Sequence, residues 1–262
     1  MTRVLLTNDD GYAAEGLSAL RTALLGAGFA VTTVAPDGNR SGAARHVSCR
    51  GTVDVARVGG SDDDPVFACS GSPVDCVRVG LFAEGFPDVA AVVSGINHGV
   101  NLGDDATYSG TVGAALEAAM HGYLGVAFSQ QDTSGDVSMV SRAPHRFGLA
   151  AWAPGFVRRA LEDAPDGRVA LSVNFPAGVD DPAAVATRLA RVTYAPRWMR
   201  AVAERGGARA YPAYLPPDGP PPTFEEQPGT DVDAVRRGLI SVTALLADLG
   251  GRSPSARSVP GL

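Results

Sequence analysis

The chain has 262 residues, 45% of them hydrophobic and 19% charged, and a formal net charge of −6. This length suffices for one or two globular domains, and the acidic balance argues against a dedicated nucleic-acid binder, which carries a basic face. All 22 basic residues are arginine, and the absence of lysine excludes Walker phosphate loops, protein kinases and pyridoxal or Schiff-base enzymes.

The first 36 residues follow a strand–helix–strand pattern. An apolar run at 4–7 ends in the polar turn Asn-Asp-Asp-Gly, leucines at helical spacing mark a helix over 16–25, and a second apolar run covers 29–35. This arrangement is a βαβ unit, which implies a parallel sheet.

The same alternation continues to about residue 180. Strands are predicted at 66–69, 89–93, 126–129 and 169–174. Helices are predicted after Ser72, with Pro73 at the first helical position, and over 111–121 and 147–161. Residues 94–109 form a glycine-rich stretch that we interpret as a long polar loop. We therefore predict an α/β core over residues 1–180.

Beyond residue 176 the pattern loosens. Short strands are predicted at 188–194 and 208–214, a proline-rich turn at 216–222, and a helix and a strand between 230 and 245. We assign 181–248 to a smaller C-terminal extension that serves in contacts between copies of the chain. The polar segment 249–262 is predicted to be a disordered tail.

We recognise no targeting signal in the sequence, which favours the cytoplasm. The apolar run after Met1 is too short for a signal peptide, and no stretch approaches the roughly 18 apolar residues of a membrane span. Three cysteines, an odd number without metal-binding spacing, are typical of reduced thiols. We expect a cytoplasmic protein without membrane association.

Three polar loops follow strands whose carboxyl ends share one edge of the predicted sheet, where open parallel sheets bind ligands. Asp9 and Asp10 in the first loop offer adjacent carboxylates, while Ser41 and Asn97 in the other two offer neutral oxygens. Hard divalent cations take such oxygen ligands. A turn in which Asp9 and Asp10 only lead into the first helix explains the same residues, so both interpretations stay open.

Residues 108–113 open a predicted helix. The free N–H groups of its first turn, with the hydroxyls of Ser109 and Thr111, can bind an anion such as phosphate. Helix capping by Ser109 is the simpler alternative. His98 lies within the glycine-rich stretch, where it either approaches a substrate or faces solvent.

Other phosphate-handling motifs are missing. The sequence has neither a Cys-x₅-Arg phosphatase loop nor an Arg-His-Gly motif, and its first aspartates are adjacent rather than spaced as Asp-x-Asp. A receiver domain requires a lysine, and Gly95, Gly99 and Gly103 lack the Gly-x-Gly-x-x-Gly spacing of a dinucleotide site.

Six segments in order resemble the survival protein E (SurE) family of 5'/3'-nucleotidases. They are Leu-Thr-Asn-Asp-Asp-Gly at 6–11, Ala-Pro-Asp with Arg-Ser-Gly at 35–42, Gly-Ser-Pro-Val-Asp-Cys-Val at 71–77, Ser-Gly-Ile-Asn-His-Gly-Val-Asn-Leu-Gly at 94–103, Tyr-Ser-Gly-Thr-Val at 108–112, and Gly-Thr-Asp at 229–231 with Gly-Leu-Ile-Ser-Val-Thr at 238–243.

The resemblance implies a Rossmann-like, mostly parallel sheet flanked by helices, with a C-terminal extension exchanged in a homodimer or homotetramer. It implies a metal-dependent phosphomonoesterase that hydrolyses nucleoside 5'-monophosphates, and 3'-monophosphates as a further substrate, using one Mg²⁺ or Mn²⁺ per subunit. By motif position the metal ligands are Asp9, Asp10, Ser41 and Asn97. Phosphate contacts fall on Asn101, Ser109, Gly110 and Thr111.

In the resulting hypothesis, Asp9 or Asp10 takes the proton of the attacking water. Two alternatives stay open: a non-catalytic nucleotide or metal sensor that uses the same pocket, and, on the βαβ opening, a nucleotide-sugar transferase.

Overall fold

A computed structural model describes residues 1–138, 143–163, 168–195, 200–212, 222–225 and 227–247. The strands are β1 (Arg3–Thr7), β2 (Ala30–Pro36), β3 (Val55–Gly60), β4 (Pro65–Cys69), β5 (Ala91–His98), β6 (Leu124–Gln130), β7 (Val169–Phe175), β8 (Ala184–Thr187), β9 (Val192–Thr193), β10 (Ala203–Arg205), β11 (Ala208–Ala210), β12 (Thr223–Phe224) and β13 (Ile240–Leu246). The α-helices are α1 (Glu15–Gly26), α2 (Pro73–Phe82), α3 (Gly110–Met120), α4 (Ala153–Asp163) and α5 (Asp231–Arg236).

One large sheet organises the molecule. It has nine strands in the order β3-β4-β2-β1-β5-β6-β7-β13-β8. The six strands from β4 to β7 are mutually parallel, and β3 and β13 pair antiparallel with β4 and β7. Numbered among themselves along the chain, the six run 3-2-1-4-5-6, the doubly wound order that reverses between β1 and β5. The predicted mostly parallel α/β fold is confirmed.

Helices cover both faces of this sheet because its central strands are apolar on both sides. Val4 and Leu6 of β1 pack into one cluster with α1 and α4, whereas Leu5 between them joins a second cluster with α2 and α3. This is the alternation expected of successive strand residues. Among the described residues, no helix combines the length and apolar character needed to cross a bilayer.

Several predicted boundaries are wrong. Strand β5 continues to His98, so the first five residues of the predicted polar loop belong to the sheet, and Gly103–Tyr108 forms a 3₁₀ helix. The predicted helix over 147–161 is instead a 3₁₀ turn followed by α4, with Pro154 in the first turn of α4 where its missing N–H costs least.

The C-terminal strands are shorter and more numerous than predicted. The segment 188–194 contains only the two residues of β9, and β11 ends at Ala210 and pairs with β10. Strands β3, β8, β10 and β12 have no counterpart among the predicted elements. Strands β8 and β13 join the main sheet, while the division of the chain at residue 180 stays a prediction. The predicted tail and most of the turn at 216–222 lie outside the described residues.

Candidate metal and phosphate site

The loop after β1 is shaped by the buried side chain of Asn8. Its Nδ2 donates to the carbonyl of Gly11 at 2.9 Å, and its Oδ1 accepts from the N–H of Gly11 at 3.2 Å. Gly11 adopts a φ of 107°, which L side chains rarely tolerate. This closed turn fixes the direction in which the two following carboxylates leave the strand.

Asp9 is buried against the first turn of α3. Its Oδ1 accepts a hydrogen bond from the Thr111 hydroxyl at 2.5 Å, and its Oδ2 accepts from the N–H of Gly110 at 3.1 Å. Burial, and then the adjacent carboxylate of Asp10, raise the pKa of Asp9 to about 6, although the hydrogen bonds from Thr111 act in the opposite direction. The helix start thus binds a carboxylate of the chain itself.

Asp10 and Asn97 complete the inner part of the site. The N–H of His98 donates to Asp10 Oδ2 at 3.1 Å, and the Thr111 hydroxyl lies 3.4 Å from Asn97 Oδ1. Asn97 Nδ2 donates to the carbonyl of Gly99 at 2.9 Å. This bond orients the amide so that Oδ1 faces Thr111, the residue whose hydroxyl donates to Asp9. Strand β5 therefore places an amide oxygen beside the two carboxylates.

The loop after β2 reaches the same place through its backbone. The N–H of Arg40 donates to the carbonyl of Asp9 at 2.6 Å. Ser41 follows it, is exposed, and has its own N–H bound to Asn39 Oδ1 at 2.8 Å. Ser41 therefore follows directly after the residue that contacts Asp9, and it lies on the solvent side of the site.

Arginines do not neutralise the acidic pair. The Arg40 guanidinium pairs with Asp37 at 2.8 Å and Arg45 pairs with Glu117 at 3.5 Å. Within the described residues, no ion pair involves Asp9 or Asp10. Two adjacent carboxylates without a countercharge are the situation that a bound cation relieves.

The donors present fit a hard divalent cation. In the described part of the chain, no three His, Cys, Asp or Glu side chains come together as a metal centre, so a soft tetrahedral site of the zinc type lacks its ligands. Carboxylate, amide and hydroxyl oxygens are instead what Mg²⁺ or Mn²⁺ takes, usually together with water.

The four residues expected to contact phosphate are already engaged. Ser109 Oγ accepts from the N–H of Val112 at 3.1 Å as the N-cap of α3, while Gly110 and Thr111 donate to Asp9. Asn101 Nδ2 donates to Ser129 Oγ at 2.8 Å, and its N–H donates to Asn174 Oδ1 at 2.8 Å. Ser109 Oγ acts as an acceptor in this cap, and among the described residues its hydroxyl proton has no acceptor, so it can donate to a ligand.

Two features of this edge were missed by sequence reasoning. The ring of His98 stacks on His145 and lies close to Phe147. His98 also belongs to strand β5, so the interpretation of His98 as a loop residue that faces solvent is wrong. The buried carboxylate of Asp231 accepts from the N–H groups of Gly103 and Ala190 at 2.7 and 2.9 Å, which joins α5 to the glycine-rich segment. Neither contact has a local signal, because each joins residues more than 40 positions apart.

Comparison with known proteins gives a consistent result. Residues 4–198 match the family described as survival protein SurE. The chain is 42% identical to the 5'-nucleotidase SurE of Rubrobacter xylanophilus and 40% identical to 5'-nucleotidase SurE 1 of Thermus thermophilus, over 94% of this chain and 92% of each relative. The crystal structure of the SurE protein from Aquifex aeolicus superimposes with a TM-score of 0.70 at 31% identity, covering 94% of both chains.

Proposed function

Since the chain belongs to the SurE family, we propose that it is a 5'-nucleotidase that hydrolyses nucleoside 5'-monophosphates to nucleoside and phosphate. The observation that carries the proposal is the buried Asp9, held by the start of α3 and flanked by Asp10 and Asn97 at the point where the strand order reverses. This is where doubly wound sheets bind their ligands. Hydrolysis of 3'-monophosphates belongs to the same proposal.

We assign one Mg²⁺ or Mn²⁺ per subunit to Asp9, Asp10, Asn97 and Ser41. The unneutralised carboxylates and the amide oxygen of Asn97 support this set. When bound, a divalent cation polarises a phosphoryl oxygen and lowers the pKa of a water molecule.

The chain's own groups supply the proton transfer and the phosphate contacts. Asp10 Oδ2 is held by the N–H of His98, so Oδ1 is the atom we assign to take the proton of the attacking water. The hydroxyl of Ser109 donates to a phosphoryl oxygen, whereas the Gly110 N–H and the Thr111 hydroxyl do so only by giving up their bonds to Asp9. Such fixed donors stabilise charge that develops in the transition state. Asn101 uses one Nδ2 proton for Ser129, and its second Nδ2 proton is the donor we assign to the phosphate.

Phosphate release tests the proposal directly. Adenosine and guanosine 5'-monophosphates and p-nitrophenyl phosphate are incubated with Mg²⁺ or Mn²⁺, with and without a chelator, and phosphate is measured. We expect release that depends on the metal and stops with chelator. Nucleotide-dependent thermal stabilisation without release under any metal would identify the non-catalytic sensor instead.

We further propose a cytoplasmic homodimer or homotetramer with residues 181–248 between copies. Two apolar side chains at the ends of the β10–β11 hairpin support this assignment, since Val202 and Tyr211 are 58% and 51% exposed.

A further inference from the structure

A buried carboxylate near the C-terminal end of the chain, that of Asp231, binds three separate segments. Its Oδ2 accepts from the N–H of Gly103 at 2.7 Å, and its Oδ1 accepts from the N–H groups of Ala190 and Val232, both at 2.9 Å. The side chain is fully buried, and within the described residues no ion pair involves it. Asp231 therefore joins these segments by directional hydrogen bonds alone.

The hydrogen bonds to Asp231 do not fully offset its burial. Burial raises the pKa of Asp231 to about 6, although the bonds from Gly103, Ala190 and Val232 act in the opposite direction. Because this pKa lies above the ordinary value of 3.8, the ionised side chain costs folding free energy at pH 7. Asp231 thus contributes less to stability than its three bonds suggest, and we expect a variant without the charge to fold.

Gly103 starts the 3₁₀ helix 103–108 and packs directly on segment 190–194, here called the strap. A Cβ on Gly103 would lie 2.6 Å from the carbonyl oxygen of Ala190. The residue adopts a φ of 56°, in the left-handed region that favours glycine. The bond to Asp231 fixes the N–H of the same residue. The start of the 3₁₀ helix is therefore held from two sides, by the strap and by α5.

Two further hydrogen bonds continue this attachment along the 3₁₀ helix. The N–H of Val192 donates to Asp104 Oδ2 at 3.0 Å, and the hydroxyl of Tyr194 donates to Asp105 Oδ1 at 2.7 Å. Asp105 is buried and Tyr194 is half-buried. Successive carboxylates of the 3₁₀ helix thus meet donors of the strap, which fixes the helix along its length as well as at its start.

The other end of the 3₁₀ helix leads into the proposed phosphate site. The N–H of Ser109 donates to the carbonyl of Ala106 at 3.3 Å, so the last turn of the 3₁₀ helix is joined to the N-cap of α3. Ser109 carries the hydroxyl proton that we assign to a phosphoryl oxygen. The proposed metal ligands Asp9, Asp10 and Asn97 instead lie at the ends of central strands. A shift of the 3₁₀ helix therefore moves a phosphate donor before it moves these metal ligands.

We infer that Asp231 is a positioning residue for phosphate binding and turnover: by holding Gly103, it keeps the 3₁₀ helix and the Ser109 hydroxyl in place. The inference rests on the proposed nucleotidase function. A displacement of about 1 Å at a positioned group lowers turnover by up to about 100-fold, so Asp231 acts without touching the substrate. The C-terminal extension then takes part in the reaction of its own chain.

Asp231→Asn tests the inference, because an amide offers one acceptor oxygen in place of two and leaves Gly103 or Ala190 without its acceptor. Asp233→Asn is the matched control, since Asp233 lies two residues further along α5 and its carboxylate pairs with the exposed Arg237 at 3.3 Å. Turnover of adenosine 5'-monophosphate is measured with Mn²⁺. The dissociation constant of inorganic phosphate is measured on the Mn²⁺-loaded protein, and the affinity and stoichiometry of Mn²⁺ by electron paramagnetic resonance.

We expect Asp231→Asn to lower kcat about 10- to 100-fold and to raise the dissociation constant of inorganic phosphate about threefold or more. The dissociation constant of Mn²⁺ should stay within about twofold of the wild type, at an unchanged stoichiometry. Without metal, hydrogen exchange of residues 103–108 should become faster, because their attachment is weakened. Asp233→Asn should match the wild type in every measurement.

Tyr194→Phe is a milder variant at the strap, since it removes only the hydroxyl that donates to Asp105. We expect it to lower kcat about two- to tenfold, the range for one neutral hydrogen bond. If Asp231→Asn does not fold by circular dichroism, this variant decides, and a wild-type kcat in Tyr194→Phe would then refute the positioning role.

Wild-type kcat and phosphate affinity in a folded Asp231→Asn protein would overturn the inference. A Mn²⁺ stoichiometry that falls in parallel with kcat would overturn it as well, because that result identifies loss of the fold rather than loss of position. If the wild type releases no phosphate from adenosine 5'-monophosphate, the proposed function fails. Phosphate affinity and hydrogen exchange then still decide whether Asp231 positions the site.

Discussion

At the scale of single residues, the start of helix α3 already holds an anion, the carboxylate of Asp9. A helix N-terminus favours negative charge and offers unpaired N–H groups. The Gly110 N–H donates to one oxygen of this carboxylate and the Thr111 hydroxyl donates to the other. These two bonds compensate part of the free-energy cost of removing the Asp9 carboxylate from water. The contact requires glycine at position 110, because a Cβ there would lie 2.8 Å from Asp9 Cβ. The short distance couples the backbone of α3 to the carboxylate of Asp9, which we propose as a metal ligand.

Gly110→Ala should therefore lower kcat on a nucleoside monophosphate by tenfold or more, an order-of-magnitude expectation for a displacement near 1 Å at a catalytic group. The gain of up to about 1 kcal/mol from alanine applies to helix interiors, whereas Gly110 is the first residue of α3 and its new Cβ would press on Asp9, so thermal unfolding has to show that the variant is folded. Steady-state kinetics and thermal unfolding measure both effects.

Gly155→Ala is the matched control, since Gly155 also lies in a first helical turn and its Cβ would meet only the Arg159 side chain at 3.7 Å. It should keep full activity. Wild-type kcat in Gly110→Ala would show that the close packing of α3 on Asp9 is irrelevant to turnover.

At the scale of elements, helix α2 is anchored by a reciprocal cap. Ser72 Oγ accepts from the N–H of Asp75, and Asp75 Oδ2 accepts from the N–H of Ser72. The same carboxylate accepts from the N–H and the hydroxyl of Ser48 at 2.9 and 2.8 Å. Burial raises the pKa of Asp75, but these bonds from Ser48 and Ser72 outweigh it and leave the pKa lowered. One carboxylate thus binds a surface loop to the helix.

Asp75→Asn should reduce the free energy of unfolding at pH 7 by about 1–3 kcal/mol, since charged acceptors of this kind contribute that much. The sign of the pH dependence follows from the lowered folded pKa: the stabilisation is complete above the unfolded value of 3.8 and is lost as the pH falls through the folded value. Urea denaturation between pH 2.5 and 7 measures the difference between variant and wild type.

Asp62→Asn serves as the control, because the Asp62 side chain is 95% exposed and should change stability by less than about 0.5 kcal/mol. A stability difference for Asp75→Asn that stays constant down to pH 2.5 would contradict the assignment.

The length of strand β5 shows where element prediction fails. Ser94, Asn97 and His98 are polar, and the sequence favours ending the strand before them. In the structure they remain in the sheet, paired with β1 and β6 across an irregularity between Ser94 and Asn97. Strand β5 lies in the centre of the sheet, and its backbone pairing on both sides extends the strand although these side chains are polar. Asn97 is therefore held by a strand rather than by a loop.

At the scale of the whole molecule, the strand order explains why separated motifs converge. The order reverses between β1 and β5, and the carboxylates and the amide oxygen stand at those two carboxyl ends. Apolar runs and turn residues were enough to predict the parallel sheet, and the topology rule was enough to predict this edge.

What the sequence could not supply is long-range packing. The contacts of His98 with His145 and of Asp231 with Gly103 depend on tertiary geometry that no local pattern encodes. The occupation of the Gly110 N–H by Asp9 is of the same kind: the sequence indicates a free anion site at α3, whereas folding delivers a carboxylate to it.

The central claim is that the acidic pair at the end of β1 carries the hydrolysis, and Asp9→Asn tests it most directly. Phosphate release from adenosine 5'-monophosphate is measured with Mg²⁺ or Mn²⁺, with circular dichroism to verify the fold and Asp62→Asn as the control. The account predicts that kcat falls by orders of magnitude in Asp9→Asn while the fold and the control stay as in the wild type. Unchanged turnover in a folded Asp9→Asn protein would contradict it.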